Sequence, residues 1–196
     1  MQEGAQNSDD SRDKELMLLL RRDKSEQAMR ELIERHQQAV FAFAYRMLGN
    51  TADAEDMTQR TFIRVWKAAD SYEPEAQFST WLFTIVKHLV YNESRRRQRK
   101  HAVSLNEYEE HSPALLQDKE NAASPHDALL QRELSEQVNK AIAALPEKAR
   151  MAIQLRRFQD MSYEDIAHIL DTSVSATKSL IFRARQQLKE LLSQYL

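Results

Sequence analysis

The chain has 196 residues, with 30 acidic and 28 basic side chains for a formal net charge of −2, and it has no cysteine, which excludes disulfides and thiolate zinc sites and fits a reducing compartment. Such a length suits one or two domains, and with only two glycines and four prolines tight turns are scarce, so the abundant Ala, Leu, Glu, Gln, Lys and Arg favour an all-α fold over a hairpin-rich one. No apolar run approaches the length of a membrane span and the N-terminus is polar and acidic, unlike a secretion signal, so a soluble, cytoplasmic chain without membrane insertion is expected.

Residues 1–13 are polar and are expected to be disordered. Helical pattern begins near Lys14, with Leu16, Leu19 and Leu20. A second helix starts at about Glu26, with Met29, Leu32, Ile33, His36, Val40, Phe43, Ala44 and Met47 on one stripe. Gly49-Asn50 ends it, as a glycine after a helix commonly does. Thr51 is expected to cap a third helix, whose first turn carries Asp53, Glu55 and Asp56, where the helix dipole favours acids. Ala54, Met57, Thr61, Phe62 and Val65 face inward on that helix. Asp56, Gln59, Arg60, Ile63, Arg64 and Lys67 face outward. This stripe suits a protein partner, or simply a solvated surface.

A loop marked by Pro74 spans Asp70 to Gln77, and a fourth helix runs from Phe78 to about Lys100. Its apolar stripe is Phe78, Trp81, Leu82, Ile85 and Leu89. Another side carries Thr84, Lys87, His88, Tyr91, Asn92 and Arg95, leading into Arg95-Arg-Arg-Gln-Arg-Lys100. Rings interleaved with cations suit opened or single-stranded DNA, because rings stack on unpaired bases and cations hold the backbone. The bland alternative is a core role for Trp81 and a solvated basic helix end. Ser104 to Asp127 holds six acids against one lysine, with Pro113 and Pro125, and reads as a linker. The sequence thus divides into a tail at 1–13, a domain at 14–102, a linker at 103–127 and a second domain at 128–196.

Helical pattern resumes near Ala128 with Leu129, Leu130, Leu134, Val138, Ala141, Ile142 and Leu145, and Pro146 breaks it. A further helix carries Met151, Ala152, Leu155 and Phe158. Two short helices then follow, joined by Asp171-Thr172-Ser173. Ser162 caps the first, with Asp165 three residues on, and Ser173 caps the second. Ile166, Ala167 and Leu170 form one apolar face; Val174, Thr177 and Ile181 pack inward from the second helix. Ser175, Ala176, Lys178, Ser179 and Phe182 face outward. From Lys178 to Lys189 the chain carries Lys178, Arg183, Arg185 and Lys189 and no acid. This is the layout of a helix-turn-helix, whose second helix enters the major groove, although an ordinary helical hairpin with a basic face has a similar pattern. The six histidines are scattered, no glycine-rich phosphate loop exists, and helix-start acids account for Asp53, Glu55 and Asp56. No metal site, cofactor or enzymatic activity is expected.

Taken together, these residues resemble a bacterial RNA polymerase sigma factor of the extracytoplasmic-function (ECF) type. Asp53-Ala-Glu-Asp-Met-Thr-Gln59 with Phe62-Ile-Arg-Val-Trp66 looks like that family's core-polymerase-binding motif. Phe78-Ser-Thr-Trp-Leu-Phe-Thr-Ile85 and Arg95-Arg-Arg97 look like the helix that melts and reads the −10 element. Ala144-Leu-Pro-Glu147, Ser162-Tyr-Glu-Asp-Ile-Ala167, Lys178-Ser179 and Arg183-Ala-Arg185 look like the domain that reads the −35 element. The resemblance covers about Glu26 to Leu188.

The resemblance implies that Asp53, Asp56, Gln59, Arg60 and Ile63 dock on core RNA polymerase, built on its β and β′ subunits. It implies that the loop with Ser71, Tyr72 and Gln77 receives a flipped −10 base. Trp81, Lys87, His88, Tyr91, Asn92, Arg95, Arg96 and Arg97 would hold the opened strand. Ser173, Ser175, Ala176, Lys178, Ser179, Phe182, Arg183 and Arg185 would meet the −35 element. It also implies a separate anti-sigma factor, and an acidic linker threaded through the polymerase's RNA path, a spacer being the simpler role. Asp171 stands where the family often has Gly, Thr177 where Val is usual, Leu180 where Arg is common, and His88 and Asn92 where Asn and Asp are frequent. Rival functions are a dimeric helix-turn-helix regulator of duplex operators and a sigma-like protein-binding adaptor.

Overall fold

A computed structural model of the protein describes residues 2–103 and 137–193. The helices are α1 (Gln2–Asp23), α2 (Glu26–Leu48), α3 (Thr51–Ala68), α4 (Phe78–Val103), α5 (residues 137–143), α6 (Glu147–Phe158), α7 (Tyr163–Ile169) and α8 (Val174–Leu192), with a 3-10 turn at Ala69–Ser71 and no strand among the described residues. The all-α expectation holds. From residue 104 the expected linker lies outside the described residues. Two compact units emerge: residues 1–44 and 52–105 form one, and residues 45–51 and 106–196 the other.

The first unit buries Leu16, Met17 and Leu20 of α1, Leu32, Val40 and Phe43 of α2, Met57 and Val65 of α3, and Phe78, Leu82, Phe83 and Val86 of α4. Each such side chain contributes about 1.5–3 kcal/mol when fully buried. Phe43 and Phe83 meet edge-on at 5.3 Å between ring centres, a geometry that adds to plain burial. The inward stripe of α3 is the expected one: Ala54, Met57, Thr61, Phe62 and Val65 are buried. The stripe of α4 is the expected one only in part: Phe78, Leu82 and Leu89 are buried. Phe83, Val86 and Val90 are buried, while Trp81 and Ile85 are only partly covered. Neighbours cover a wider arc of α4 than one stripe, and that arc is turned away from Trp81. Thr51 is itself the first helical residue of α3 rather than the residue before it.

The N-terminus corrects another expectation. Instead of a disordered tail at 1–13, α1 is helical from Gln2. Its acids explain why a polar segment is held. Asp13 is 3% exposed, accepts from Arg35 Nε at 2.6 Å and lies 2.8 Å from His36 Nε2. Asp9 Oδ1 accepts from Arg35 Nη2 at 3.0 Å. Asp10 Oδ1 accepts from the Phe78 backbone N–H at 2.7 Å. Polar contacts of this kind leave no apolar periodicity to read.

In the second unit, α6, α7 and α8 pack on one another around Met151, Leu155, Ile166, Ile169 and Ile181. Ser162 Oγ accepts from Asp165 N at 3.0 Å and Ser173 Oγ accepts from Ala176 N at 3.1 Å, so both expected N-caps form. Between them the chain turns through Asp171 with φ of 52°. Thr172 N donates to Ala167 O at 3.0 Å and Asp171 N to His168 O at 3.2 Å. These are the two bonds of a Schellman motif, with aspartate in the left-handed position that glycine commonly fills.

Thr177 is fully buried and its hydroxyl finds no hydrogen-bond partner among the described residues. A buried, unpaired hydroxyl costs desolvation that a methyl group of similar shape does not. Thr177→Val is expected to stabilise this unit by about 1 kcal/mol, read as a higher urea midpoint with an unchanged m-value. A lower midpoint would contradict the unpaired state of the hydroxyl.

Candidate nucleic-acid interface

Helix α8 owes its position to the Ser173 cap and to the buried row Thr177, Ile181 and Ala184. That row fixes what points away. Ser173, Ser175, Ala176, Lys178, Ser179, Phe182, Arg183 and Arg185 are all exposed, Phe182 at 62%. Ser175, Ser179 and Phe182 share a face at i, i+4 and i+7 spacing. Lys178 Nζ lies 5.7 Å from the ring centre of Tyr163, which also receives Arg156 at 5.2 Å. Tyr163 of α7 thus bears on α8 through a cation–π contact, which has no signature in the sequence. Arg183 Nε donates to Ser179 O of its own helix at 3.3 Å.

On α4 the exposed or half-covered residues Trp81, His88, Tyr91, Asn92 and Arg95 recur at helical spacing, with Lys87 beside them. Arg95 lies over the Tyr91 ring at 5.6 Å. The next two arginines pair with acids, Arg96 while still exposed and Arg97 partly covered. Arg96 donates two bonds to Glu93, at 2.8 and 2.7 Å. Arg97 is ion-paired with Glu93 at 3.5 Å and with Asp53 of α3. Glu93 is 4% exposed, so its carboxylate needs these partners, because a buried unpaired charge costs several kcal/mol. Glu93 sat in the sequence as the single acid of a basic run and gave no hint of this centre. Asp53 and Arg97, expected in separate interfaces, meet in one ion pair.

The loop before α4 also departs from expectation. Ser71 is exposed and its Oγ donates to Ala68 O at 3.0 Å. Gln77 is exposed, and its carbonyl accepts from Trp81 N at 3.2 Å. Tyr72, expected to help receive a −10 base, is 1% exposed. Its ring meets Trp81 at 5.1 Å and Phe78 at 6.4 Å, both edge-on. It forms the floor of the loop because its ring completes this aromatic cluster. Burial first, and then the charges of Asp10 and Asp13, push its hydroxyl up to about 12.

The outward stripe of α3 is as expected. Gln59 and Arg60 are exposed, Ile63 is 53% exposed, and Asp56 Oδ1 accepts from Arg60 Nε at 2.9 Å. Asp53, Asp56, Arg60 and Ile63 lie along one side of the helix. Among the described residues no cluster of potential metal ligands occurs, and no helix is long and apolar enough to cross a membrane.

A helix-turn-helix with a bare polar and basic reading face, joined in one chain to a helix bearing aromatic and cationic groups, defines a DNA-binding transcription protein. Comparisons with known proteins give the family. Residues 32–100 match the model of Sigma-70 region 2, and residues 135–188 match Sigma-70, region 4. The chain is 36% identical to the ECF RNA polymerase sigma factor SigE of Mycolicibacterium smegmatis over 165 residues, covering 84% of this chain and 62% of that protein. It is 32% identical to the ECF RNA polymerase sigma factor SigW of Bacillus subtilis over 168 residues, covering 84% of this chain and 89% of that protein. Among solved structures it resembles the sigma factor RpoE of Bartonella quintana in complex with the anti-sigma factor NepR, with a TM-score of 0.69 and 28% identity over 84% of this chain and 96% of that one. It also resembles CnrH in complex with the cytosolic domain of CnrY, with a TM-score of 0.68 and 25% identity over 93% of this chain and 98% of that one. The chain belongs to the ECF family of RNA polymerase sigma factors, which are transcription initiation factors.

The buried Tyr72 hydroxyl has no hydrogen-bond partner among the described residues, so Tyr72→Phe is expected to leave stability unchanged or raise it by up to about 1 kcal/mol. The sign with pH follows from the raised value. The folded protein keeps this proton after an unfolded chain releases it, so the contribution is complete below about pH 10 and drains away as pH climbs towards about 12. Urea unfolding of both proteins at about pH 8 and about pH 11 checks this, the wild type losing more on the climb. Equal losses would mean that Tyr72 ionises as freely in the fold as out of it.

Proposed function

We propose that this chain binds core RNA polymerase, recognises −10 and −35 promoter elements and promotes DNA melting for transcription initiation. The observation that carries the reading is the bare face of α8, with eight candidate contacts exposed together on a capped, well-packed helix. Arg183 and Arg185 supply phosphate contacts, which position the helix, while Ser175, Lys178 and Ser179 face base edges, which specify sequence. On α4, Trp81, Tyr91 and Arg95 hold the opened strand by stacking and charge, with Lys87, His88 and Asn92 alongside. Arg96 and Arg97, which also pair with Glu93, extend the same cationic side. The α3 stripe with Asp56, Gln59, Arg60 and Ile63 meets the polymerase β and β′ subunits. Of the similar structures, RpoE was solved with the anti-sigma factor NepR and CnrH with the cytosolic domain of CnrY, and a separate anti-sigma factor is the regulator inferred for this chain. The site of action is the cytoplasm, where core polymerase and promoter DNA meet, and the chain performs no catalysis itself. The six acids and one lysine of residues 104–127 suit a path lined for RNA.

Run-off transcription with core polymerase on genomic fragments tests the reading. Promoter-specific transcripts are expected only when the chain is added; transcripts independent of it refute the proposal. Arg183→Ala is expected to weaken duplex binding across sequences and to lower the salt slope by about one unit. An unchanged slope removes Arg183 from the phosphate contacts.

A further inference from the structure

The loop at residues 71–77, the candidate receiver of an extruded −10 base, is anchored at both ends by a single helix that lies outside the family match. That match begins at residue 32, whereas α1 ends at Asp23. At the loop's entry, Arg21 Nη1 of α1 donates to the Tyr72 carbonyl at 2.9 Å. Just after α1, Lys24 Nζ reaches Asp70 Oδ1 at 2.5 Å. At the loop's exit, Asp10 Oδ1 accepts from the Phe78 N–H at 2.7 Å, and Lys14 pairs with the same carboxylate at 2.9 Å. Packing runs the same way, since α1 lies against both the 3-10 turn and α4.

We infer that α1 is a positioning element for base capture, holding the loop between Tyr72 and Phe78 in its receiving shape through Arg21 and Asp10. The inference rests on the −10 reading given above and adds the residues that fix the pocket's frame. The physical reason is pre-organisation. A loop that must order itself around an extruded base forfeits affinity, and one already fixed at both ends does not. The three anchors are unequal. Arg21 and Asp10 each make a charge-assisted bond to a backbone group, and such bonds are the stronger kind. Lys24 and Asp70 form an exposed pair, which water and salt weaken. Asp10 has a second function, because it satisfies an amide in the first turn of α4 that has no partner within the helix.

The test uses the full chain assembled with core polymerase. The probe is the single-stranded non-template segment of a promoter that the chain activates in run-off transcription. 2-Aminopurine is placed at each −10 position in turn, and the probe is compared with one abasic at the position that brightens on extrusion. Arg21→Ala and Asp10→Ala are expected to lower affinity for the base-bearing probe by about tenfold each, one charge-assisted bond. Both should dim the 2-aminopurine signal, with the abasic probe, core binding and −35 duplex binding unchanged within twofold. Asp10→Asn keeps a neutral oxygen acceptor for the Phe78 amide and is expected to recover part of the loss. A variant that merely unfolds would weaken every one of these readouts. If the variants bind base-bearing and abasic probes as the wild type does, or lose both alike, the positioning role is overturned. Failure of Asp10→Asn to rescue overturns it for Asp10. If the wild type neither drives transcription nor extrudes a base, the −10 reading fails as well, which separates the two claims.

Discussion

The first unit depends on one buried carboxylate. Asp13 has almost no contact with water and is met by Arg35 on one side and His36 on the other. A charge in that position is tolerable only with close, well-directed partners, and removing one costs more than the pair gains over an apolar substitute. It therefore pins α1 to α2. His36 in turn lies 5.0 Å from the ring of Phe78, the residue whose amide is capped by Asp10 of α1. Three helices are thus held in register by polar groups on α1, and the aromatic cluster of Tyr72, Phe78 and Trp81 lies against the same junction. The apolar core supplies most of the free energy, but it is non-directional. The carboxylates decide how the helices are rotated.

This explains which parts of the molecule could be read in advance. The inward and outward faces of α3 follow from 3.6-residue spacing alone, and all five inward residues are buried. The caps at Ser162 and Ser173 are short-range chemistry and are where a capping pattern puts them. Residues 1–13 misled because low hydropathy normally leaves nothing to order a segment. Here the ordering comes from Asp9, Asp10 and Asp13, whose partners on other helices lie between 22 and 68 positions away. Tyr72 misled for a related reason. Loop residues are usually exposed, but its ring had partners four or more positions ahead. The sense of rotation of α4, which buries Phe83 and Val86 in place of Trp81 and Ile85, depends on neighbouring helices and has no local signature.

The charge distribution shows the same division between what counts and what acts. The basic run at the end of α4 counts Arg95, Arg96 and Arg97 as equals. Only Arg95 is left stacked along the helix surface beside Tyr91, while the other two close around Glu93 and Asp53. A buried acid in a basic helix thereby draws two of its cations into ion pairs. It also joins the start of α3 to the far part of α4, so that the helix with the candidate polymerase face and the helix with the candidate strand face share a fixed point.

The corner of the helix-turn-helix carries a broader lesson. Its shape is written in two carbonyl bonds to Ala167 and His168, and the residue at the bend is an aspartate at φ of 52°. The backbone, not the absence of a side chain, holds the two arms at their angle. A genome survey that demands glycine at this corner therefore passes over chains whose DNA-reading hairpin is intact.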